Sequence, residues 1–393
     1  MRIFHTSDWH VGRTFHGYST LDATREVLGT IPAVVHDHDV DVVLVSGDIY
    51  DLANPSADAV AVLRDAVRAI LDTGATVVMT SGNHDSAVRL GFAGAFSTGA
   101  GLHLLTDPAR IHEPVELADA HGPVDVYALP YLQPELVRGH AWAPTGIRTQ
   151  NEVVTAAMDH VRAEIVRRRT AGRRSVVLAH TFVAGGHAES SDSERAITRE
   201  PLVAGGVDAV PLEAFAGVDY AALGHIHGRM ALADHVRYSG APVHYSFGEA
   251  GKPRGGWLVT LGADGLTDVG WVDLPVPRPL QQLTGPFADL LVDPSLDAYA
   301  DHYVRAVYTD RTRQIEPMRK LRERFPWCAE VVWEPAERIT GTSASYTERV
   351  TGKTDPQVVA SFLADVRAGE GPSAAEDAII DAVIDEHAAR DAR

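Results

Sequence analysis

Short apolar runs alternate with segments of helical periodicity over the first 274 residues, and this alternation restricts the fold more than any other feature of the sequence. Six runs have the length and apolar content of buried strands. They are residues 2–6, 41–45, 76–80, 124–129, 175–179 and 220–223. Between them, apolar residues at helical spacing predict helices over residues 21–36, 56–71 and 152–169. The pattern predicts an α/β layered domain.

The later apolar segments are separated by glycine, proline and aspartate instead of helices. Residues 236–239, 256–261 and 269–274 are therefore predicted to be antiparallel strands that complete a second sheet. The expected fold class is α/β, with residues 1–275 forming a sandwich of two sheets flanked by helices.

Three spaced prolines, Pro275, Pro277 and Pro279, mark a boundary after this domain. Beyond them, predicted strands at 303–308 and 329–333 and a basic helix at 316–324 indicate a small α/β module over residues 280–338. Residues 354–393 contain two amphipathic helices, so the chain is expected to have three parts.

The net charge of −18, taken as a sum, argues against a nucleic-acid partner, because phosphate binding normally requires a basic surface. Bound divalent cations would reverse the sign of a carboxylate-rich site, so composition does not exclude DNA. The single cysteine, Cys328, cannot form an intrachain disulfide. No export signal is evident and no apolar run is long enough to span a bilayer, so a cytoplasmic location is expected.

Carboxylate, amide and imidazole side chains follow five of the six predicted strands, at the sheet edge where α/β folds bind ligands. In chain order they are Asp8, His10, Asp48, Asn83, His84, His180, His225 and His227. All offer nitrogen or oxygen atoms suited to Mn²⁺, Fe²⁺ or Zn²⁺, and none is a cysteine, which argues against a closed structural zinc site. The expected chemistry is metal-assisted hydrolysis.

Each element alone has an equally good structural interpretation. Asp48 could cap a helix, and His180 could be a hydrogen-bonded core histidine. His225 and His227 are more informative, since side chains two residues apart on an extended backbone point the same way and can reach a metal pair about 3.5–4 Å apart. Five such elements, each after a strand, make coincidence improbable.

In this order, the motifs D-x-H, G-D-x-x-D, G-N-H-D, H and G-H-x-H resemble the calcineurin-like metallophosphoesterases. Residues 8–13, 191–195, 220–227 and 238–242 are further similar to the SbcD family, the nuclease subunits of bacterial SbcCD complexes. The similarity extends from Met1 through the late strands and, more loosely, into the C-terminal helices. Residues 198–206 depart from the family's Gly-rich turn, and with only three lysines, arginines must supply most phosphate contacts.

The resemblance implies two metal ions, usually manganese, and a set of residues to hold them. One metal would be held by Asp8, His10, Asp48 and His227. The other would be held by Asp48, Asn83, His180 and His225, so that Asp48 bridges. His84 would be the acid that protonates the leaving oxygen, with Asp51 orienting its ring.

The resemblance also implies a DNA substrate and protein partners. The expected activity is endonucleolytic on single strands and hairpins and, with an SbcC ATPase, ATP-dependent 3′–5′ exonucleolytic on duplex ends, in DNA repair, recombination and replication. Residues 280–338 would cap the site and face DNA, and residues 354–393 would bind the ATPase. A homodimer is also implied, with residues 21–36 and 56–71 as candidate interface helices.

Candidate DNA contacts are Arg13, His16 and a basic patch in the capping module. The patch comprises Arg311, Arg313, Arg319, Lys320, Arg322 and Arg324. A second arginine group, at residues 167–169 and 173–174, is either a phosphate-binding stripe or a charged helix end. Two other functions remain open. They are a phosphodiesterase for small or cyclic nucleotides and a catalytically inactive scaffold of a DNA-repair complex.

Overall fold

The computed structural model describes residues 1–169, 172–183, 209–335, 351–367 and 369–391. These fall into two compact units, Met1–Pro279 and Leu280–Arg393. The boundary directly follows the last of the three spaced prolines. Residues 191–195 and 198–206, which contributed to the sequence resemblance and its departures, lie outside the described residues.

The first unit contains two six-stranded sheets, with strands numbered in chain order. In spatial order, the first sheet consists of β14 (Gly265–Asp273), β13 (Gly255–Gly262), β1 (Arg2–Thr6), β4 (Val42–Ser46), β5 (Thr76–Thr80) and β6 (Leu102–Leu104). Strands β1, β4, β5 and β6 are parallel, and β13 and β14 form an antiparallel hairpin beside β1. A short hairpin of β2 (Thr14–Phe15) and β3 (Tyr18–Ser19) follows β1.

The second sheet is also parallel at its centre. In spatial order it consists of β11 (Met230–Ala233), β12 (Val236–Tyr238), β10 (Tyr220–Gly224), β9 (Arg174–His180), β8 (Gly122–Leu129) and β7 (Val115–Asp119). Only the edge strands β11 and β7 pair antiparallel. The expected α/β two-sheet sandwich is confirmed.

The predicted placement of the last strands was partly wrong. Strand β12 joins the second sheet but runs parallel to β10. Strands β13 and β14 join the first sheet, with Arg2 opposite Thr260. The turn residues identify a hairpin, but they do not determine which sheet the hairpin joins. That depends on burial against residues that are distant in the sequence. Here Trp257, Val259 and Leu261 fill the space between the sheets.

Helices cover the outer faces of both sheets. In chain order they are α1 (Leu21–Leu28), α2 (Ile31–Asp37), α3 (Ala57–Leu71), α4 (Ala87–Gly91), α5 (Gly94–Ser97), α6 (Pro134–Val137) and α7 (Gln150–Arg168). The predicted single helix over residues 21–36 is two helices, because the chain turns at Gly29 and restarts with Pro32 in the first turn of α2. Helix α7 begins with a capping box of Thr149 and Glu152.

The second unit contains a three-stranded parallel sheet of β15 (Leu280–Gly285), β16 (Tyr303–Tyr308) and β17 (Cys328–Trp333). Helices α8 (Phe287–Val292) and α9 (Pro317–Arg324) pack on it, and Cys328 is buried. The chain ends in α10 (Asp355–Val366) and α11 (Ala374–Asp391), which contact each other. Strand β15 was missed because it directly follows the proline cluster. No described helix has the length and apolarity that spanning a membrane requires.

Candidate metal centre

Loops that follow five parallel strands bring the predicted ligands into one cluster. The carrier strands are β1, β4, β5, β9 and β10. Ligand atoms form three overlapping groups, each within 4.8 Å, and the groups are Asp8–His10–His227, His10–Asp48–His84 and Asp8–Asp48–His180. The cluster is almost fully buried. Neighbouring parallel strands end at the same sheet edge, which explains how distant sequence positions meet.

Asp48 lies at the centre of the cluster. Its Oδ2 is 3.5 Å from His10 Nε2 and 3.3 Å from His180 Nε2. Its Oδ1 accepts the backbone N–H of His84 at 2.9 Å. Asp48 therefore contacts both sets of imidazoles, as the expected bridging role requires.

The remaining predicted ligands lie on either side of Asp48. On one side, Asn83 Oδ1 is 3.1 Å from His180 Nε2 and 3.2 Å from His225 Nδ1. On the other side, His10 Nε2 and His227 Nε2 are 3.0 Å apart. All seven predicted ligands thus lie in one cluster, and the three groups of ligand atoms overlap at Asp8, His10 and Asp48.

Oxygen atoms behind the imidazoles set their orientation. The Nδ1 atom of His180 is 2.9 Å from the Ser46 carbonyl oxygen, and that of His10 is 3.3 Å from Asp51 Oδ1. The Nδ1 atom of His227 is 3.6 Å from Glu249 Oε1. In each case an oxygen at Nδ1 leaves Nε2 facing the cluster, which is how metal-binding histidines are usually held.

Asp51 contacts two histidines through different atoms. Its backbone carbonyl oxygen is 2.8 Å from His84 Nδ1, whereas its carboxylate lies 3.8 Å from that nitrogen and 3.3 Å from His10 Nδ1. The main chain of Asp51 orients His84, and its side chain orients His10.

Four of these residues have left-handed backbone conformations that non-glycine residues rarely adopt. The φ angles are 53° at Asp8, 41° at His10, 49° at Asp48 and 104° at His225. Such conformations cost about 1–3 kcal/mol each, so together they approach the stability of a whole domain. Main-chain hydrogen bonds hold them, including Asp8 N to Gly47 O at 3.0 Å and His10 N to Asp48 O at 2.9 Å.

Three glycines allow the loops to approach this closely. A Cβ atom on Gly47 would lie 2.3 Å from His180 Nδ1, and one on Gly82 would lie 2.0 Å from Asp48 Oδ1. A Cβ atom on Gly224 would lie 1.9 Å from the Ser46 carbonyl oxygen. Any side chain at these positions would displace a ligand or the loop that carries it.

Burial and mutual charge shift the ionisation of the cluster. Burial raises the pKa of Asp8 to about 6 and lowers the pKa of His10 to about 4. Burial alone would lower the pKa of His180, but the Asp48 carboxylate raises it to about 9. Burial alone would raise the pKa of Asp48, but the imidazoles of His180 and His10 hold it well below its usual value. Metal binding here competes with protonation of His180.

A family model of the calcineurin-like phosphoesterases matches residues 1–229, which is more than half of the chain. The chain belongs to the calcineurin-like phosphoesterases. A second family model, the SbcD C-terminal domain, described as the Type 5 capsule protein repressor C-terminal domain, matches residues 276–367. The two matches are consistent with the SbcD family suggested by the sequence.

Solved structures also align with this chain, at low similarity. A dimetal phosphatase from Danio rerio is 13% identical in sequence and gives a TM-score of 0.36. The alignment spans 70% of this chain and 99% of the phosphatase chain. A beta-glucosidase from Exiguobacterium marinum is 9% identical and gives a TM-score of 0.23. The alignment spans 85% of this chain and 89% of the glucosidase chain. Both scores are low, and the family assignment comes from the family models.

Phosphoesterases of this family use divalent metal ions, and the cluster fits such ions. Its donors are carboxylate and amide oxygens and imidazole nitrogens, with three Nε2 atoms directed inward. These are donors that Mn²⁺, Fe²⁺ and Zn²⁺ accept.

Sequence reasoning missed two buried residues that support the phosphoesterase site. The Glu249 carboxylate lies behind His227, and its Oε2 accepts from Arg254 and from the Tyr245 backbone N–H, both at 2.9 Å. Arg254 also donates to the His227 carbonyl oxygen. Burial alone would raise the pKa of Glu249, but His227 and Arg254 lower it. Neither residue lies in a recognisable motif.

The two predicted DNA contacts near the phosphoesterase site differ in accessibility. Arg13 is buried, with its guanidinium 3.4 Å from Asp51 Oδ1 and 4.8 Å from the Tyr245 ring centroid. His16 is exposed at the turn between β2 and β3, and its ring lies 5.5 Å from that of Phe247. Of the two, His16 is open to solvent.

Several members of the predicted basic patch have partners within the second unit. Arg319 pairs with Glu316 at 3.0 Å and with Glu323 at 2.8 Å. Arg322 donates to the Cys328 carbonyl oxygen at 3.1 Å, and Lys320 Nζ lies 5.9 Å from the Phe287 ring centroid.

The second arginine group is better explained as a charged helix end than as a phosphate-binding stripe. Arg168 and Arg173 both bind Asp125, at 2.9 Å and 2.6 Å, and Arg174 binds Asp119 at 2.7 Å.

Proposed function

We propose that this phosphoesterase is a metal-dependent DNA nuclease subunit of the SbcD type, acting in the cytoplasm. The proposed activities are single-strand and hairpin endonuclease cleavage and, with an SbcC-like ATPase, ATP-dependent 3′–5′ exonuclease cleavage of duplex ends during DNA repair. The observation that carries the proposal is the buried cluster of overlapping ligand groups around Asp48, in a chain whose C-terminal region matches the SbcD family model.

We assign one metal to Asp8, His10, Asp48 and His227, and the other to Asp48, Asn83, His180 and His225. Manganese is the proposed ion because the SbcD family, which the sequence resembles, usually uses it, and the donor set of oxygen and imidazole is compatible with it. When bound, the two cations would polarise the scissile phosphate and lower the pKa of the attacking water.

We assign His84 the role of general acid for the leaving oxygen. The Asp51 carbonyl oxygen at 2.8 Å fixes Nδ1, which leaves Nε2 as the atom that acts on substrate. The His84 ring lies edge-on to that of His10, with centroids 4.7 Å apart. Asp51 positions both rings, and its carboxylate keeps His10 in its metal-facing orientation.

We also propose that residues 280–338 face DNA and that Arg13, His16, Arg319, Lys320 and Arg322 contact it. Arg319 and Arg322 are exposed, which supports a surface role despite their local partners. Helices α10 and α11 are proposed to bind the ATPase, because Phe362, Ile379 and Val383 are 63%, 64% and 56% exposed.

A homodimer is proposed through an apolar groove beside α3. The groove encloses about 680 Å³ and is lined by residues of α3, α4 and β6. Phe92 and Phe96 lie next to it in sequence and are 75% and 78% exposed. Large exposed aromatic side chains beside an apolar groove are typical of an interface between subunits.

The decisive experiment measures cleavage of single-stranded and hairpin DNA by the purified chain with Mn²⁺, beside a small phosphodiester. We expect DNA cleavage, and a loss of at least about 100-fold in the His84→Gln variant, because a positioned general acid contributes about 10²–10⁴-fold. Metal content, measured by mass spectrometry, should be unchanged in this variant. The control is His36→Gln, which alters a histidine whose side chain is 84% exposed.

The other outcomes favour other functions. Turnover of the small diester alone would indicate a phosphodiesterase for small or cyclic nucleotides. Turnover of neither substrate, in a chain that still binds DNA, would indicate a scaffold. A fully active His84→Gln variant would rule out His84 as the acid, and loss of metal in that variant would make it a ligand.

A further inference from the structure

Two arginines lie over two tryptophans: Arg229 directly precedes β11 and Arg237 lies in β12, while Trp257 and Trp271 lie in β13 and β14. The Arg229 guanidinium carbon is 4.7 Å from the Trp271 ring centroid and 5.9 Å from that of Trp257. The Arg237 guanidinium carbon is 4.6 Å from the Trp257 centroid. The two indoles meet edge to face, with centroids 5.0 Å apart. These four residues form an arginine–tryptophan platform.

The indoles of the platform are fixed in place. Trp257 is buried, and its Nε1–H donates to the Tyr238 carbonyl oxygen at 2.9 Å. The Nε1–H of Trp271 donates to Asp273 Oδ1 at 2.7 Å. A guanidinium that lies over a rigid indole presents its face to the ring and its edge N–H groups to a planar acceptor such as phosphate. In Arg237 the Nε–H donates to the Asp234 carbonyl oxygen at 3.3 Å, so its Nη groups are the ones that would meet the acceptor.

The charges of the platform are not neutralised locally. Within the described part of the chain, neither Arg229 nor Arg237 forms an ion pair, in contrast to Arg168, Arg174 and Arg319. Arg229 is exposed and Arg237 is half-buried. In a chain with a net charge of −18, two adjacent arginines without carboxylate partners form a local positive site.

The platform is adjacent to the metal centre in the same unit. Arg229 follows the proposed ligand His227 by two residues. Trp257 pairs with His5 of β1, which precedes Asp8 by three residues. Three residues of chain span at most about 10 Å, so the backbone of Trp257 lies within a few nucleotide lengths of the proposed ligand Asp8. A strand with its scissile bond at the metal centre can therefore reach the platform.

We propose that Arg229 and Arg237, held on Trp257 and Trp271, form a phosphate-binding subsite for the DNA strand that is cleaved. This inference rests on the proposed nuclease function and extends it. The subsite binds the sugar–phosphate backbone through the edges of both guanidiniums, so it contributes affinity without sequence preference.

The test is fluorescence anisotropy of a labelled single-stranded oligonucleotide with the full chain in EDTA, at salt concentrations from about 50 to 200 mM. The variants are Arg229→Gln, Arg237→Gln and their combination. We expect the double variant to bind at least about 10-fold more weakly, with a salt slope lower by about 1.4, since each single-strand phosphate contact contributes about 0.7. The matched control is Arg110→Gln, an exposed arginine paired with Glu113.

Arg229→Lys with Arg237→Lys keeps both charges and loses only the planar edges, so this variant should retain the salt slope. Because the planar edges are lost, it should still bind more weakly than wild type, and wild-type affinity in this variant would overturn the guanidinium contacts even if the glutamine variants fold poorly. Unchanged affinity and slope in a folded double variant would overturn the subsite, as would an equal loss in Arg110→Gln. If wild type cleaves DNA while the double variant binds normally, the subsite alone is wrong. If wild type cleaves only the small diester, the nuclease function itself is wrong.

Discussion

Side-chain orientation at the metal centre depends on three different oxygen atoms, one behind each of three buried histidines. Ser46 supplies a main-chain carbonyl, while Asp51 and Glu249 supply carboxylates. At Glu249, Arg254 and the Tyr245 N–H occupy Oε2, and Oε1 faces His227 Nδ1 at 3.6 Å. Glu249 is therefore a positioning residue for His227.

Replacing Glu249 with glutamine tests this role. Glu249→Gln removes the negative charge behind His227 and leaves Arg254 buried without its counter-charge, so Mn²⁺ affinity should fall about 10–100-fold. Titration calorimetry with Mn²⁺ measures the effect, and circular dichroism and a thermal melt establish that the variant is folded. The control, Glu113→Gln at a half-exposed glutamate, should bind as wild type does. Unchanged Mn²⁺ affinity in folded Glu249→Gln would disprove the positioning role.

Sequence patterns could identify the proposed ligands but not the residues behind them. Asp8, Asp48 and His225 are recognisable because each follows an apolar strand, where topology requires parallel strand ends to meet. Glu249 occupies a short 3₁₀ helix in another loop, and no periodicity links it to His227. Its role depends on tertiary contacts alone.

At the level of elements, the positions of strands in the sequence were easier to predict than the strands they pair with. The alternation of strand and helix specified the parallel core, since crossover connections leave few alternatives. The β13–β14 hairpin was assigned to the wrong sheet, because local turn chemistry is the same at either edge. The break between α1 and α2 was overlooked because Gly29 and Pro32 interrupt an otherwise continuous apolar face.

Strand β1 contains a buried histidine, His5, that should make the free energy of unfolding of the chain depend on pH. His5 lies within the core, with Nδ1 2.9 Å from the Tyr220 hydroxyl and Nε2 3.1 Å from the Leu223 carbonyl oxygen. The neutral ring satisfies both contacts, accepting from the hydroxyl and donating to the carbonyl. Burial lowers the pKa of His5 from 6.5 to about 3.

Between these two values the unfolded chain binds a proton at His5 that the folded chain does not. The free energy of unfolding should therefore be highest above pH 6.5 and fall as the pH drops towards 3. The loss from this group is at most about 1.4 kcal/mol per pH unit. Urea denaturation of wild type and His5→Gln at several pH values should show a shallower decline in the variant. If the free energy of unfolding declined equally with pH in both proteins, His5 would not be a source of the pH dependence. The control is His36→Gln, which alters an exposed histidine.

On the scale of the whole molecule, two exposed apolar surfaces lie in different units. One is the groove beside α3 with Phe92 and Phe96, and the other is formed by Phe362, Ile379 and Val383 on α10 and α11. Helical periodicity predicted α3 and the two C-terminal helices, but it could not show which apolar residues remain uncovered, because that depends on the packing of the folded chain. Two surfaces allow two partners to bind independently.

If the two surfaces bind different partners independently, a variant of each surface should lose one interaction and keep the other. Phe92→Ser with Phe96→Ser should convert a dimer to a monomer in sedimentation velocity and leave binding to the SbcC-like ATPase intact. Phe362→Ser with Ile379→Ser should abolish co-purification with the ATPase and leave the dimer intact. All four side chains are more than half exposed, so the substitutions should leave each fold stable.

A monomeric wild type would refute the dimer, and ATPase binding by the second variant would refute docking on α10 and α11. Loss of both interactions in either variant would show that the surfaces are coupled, contrary to the independence predicted here.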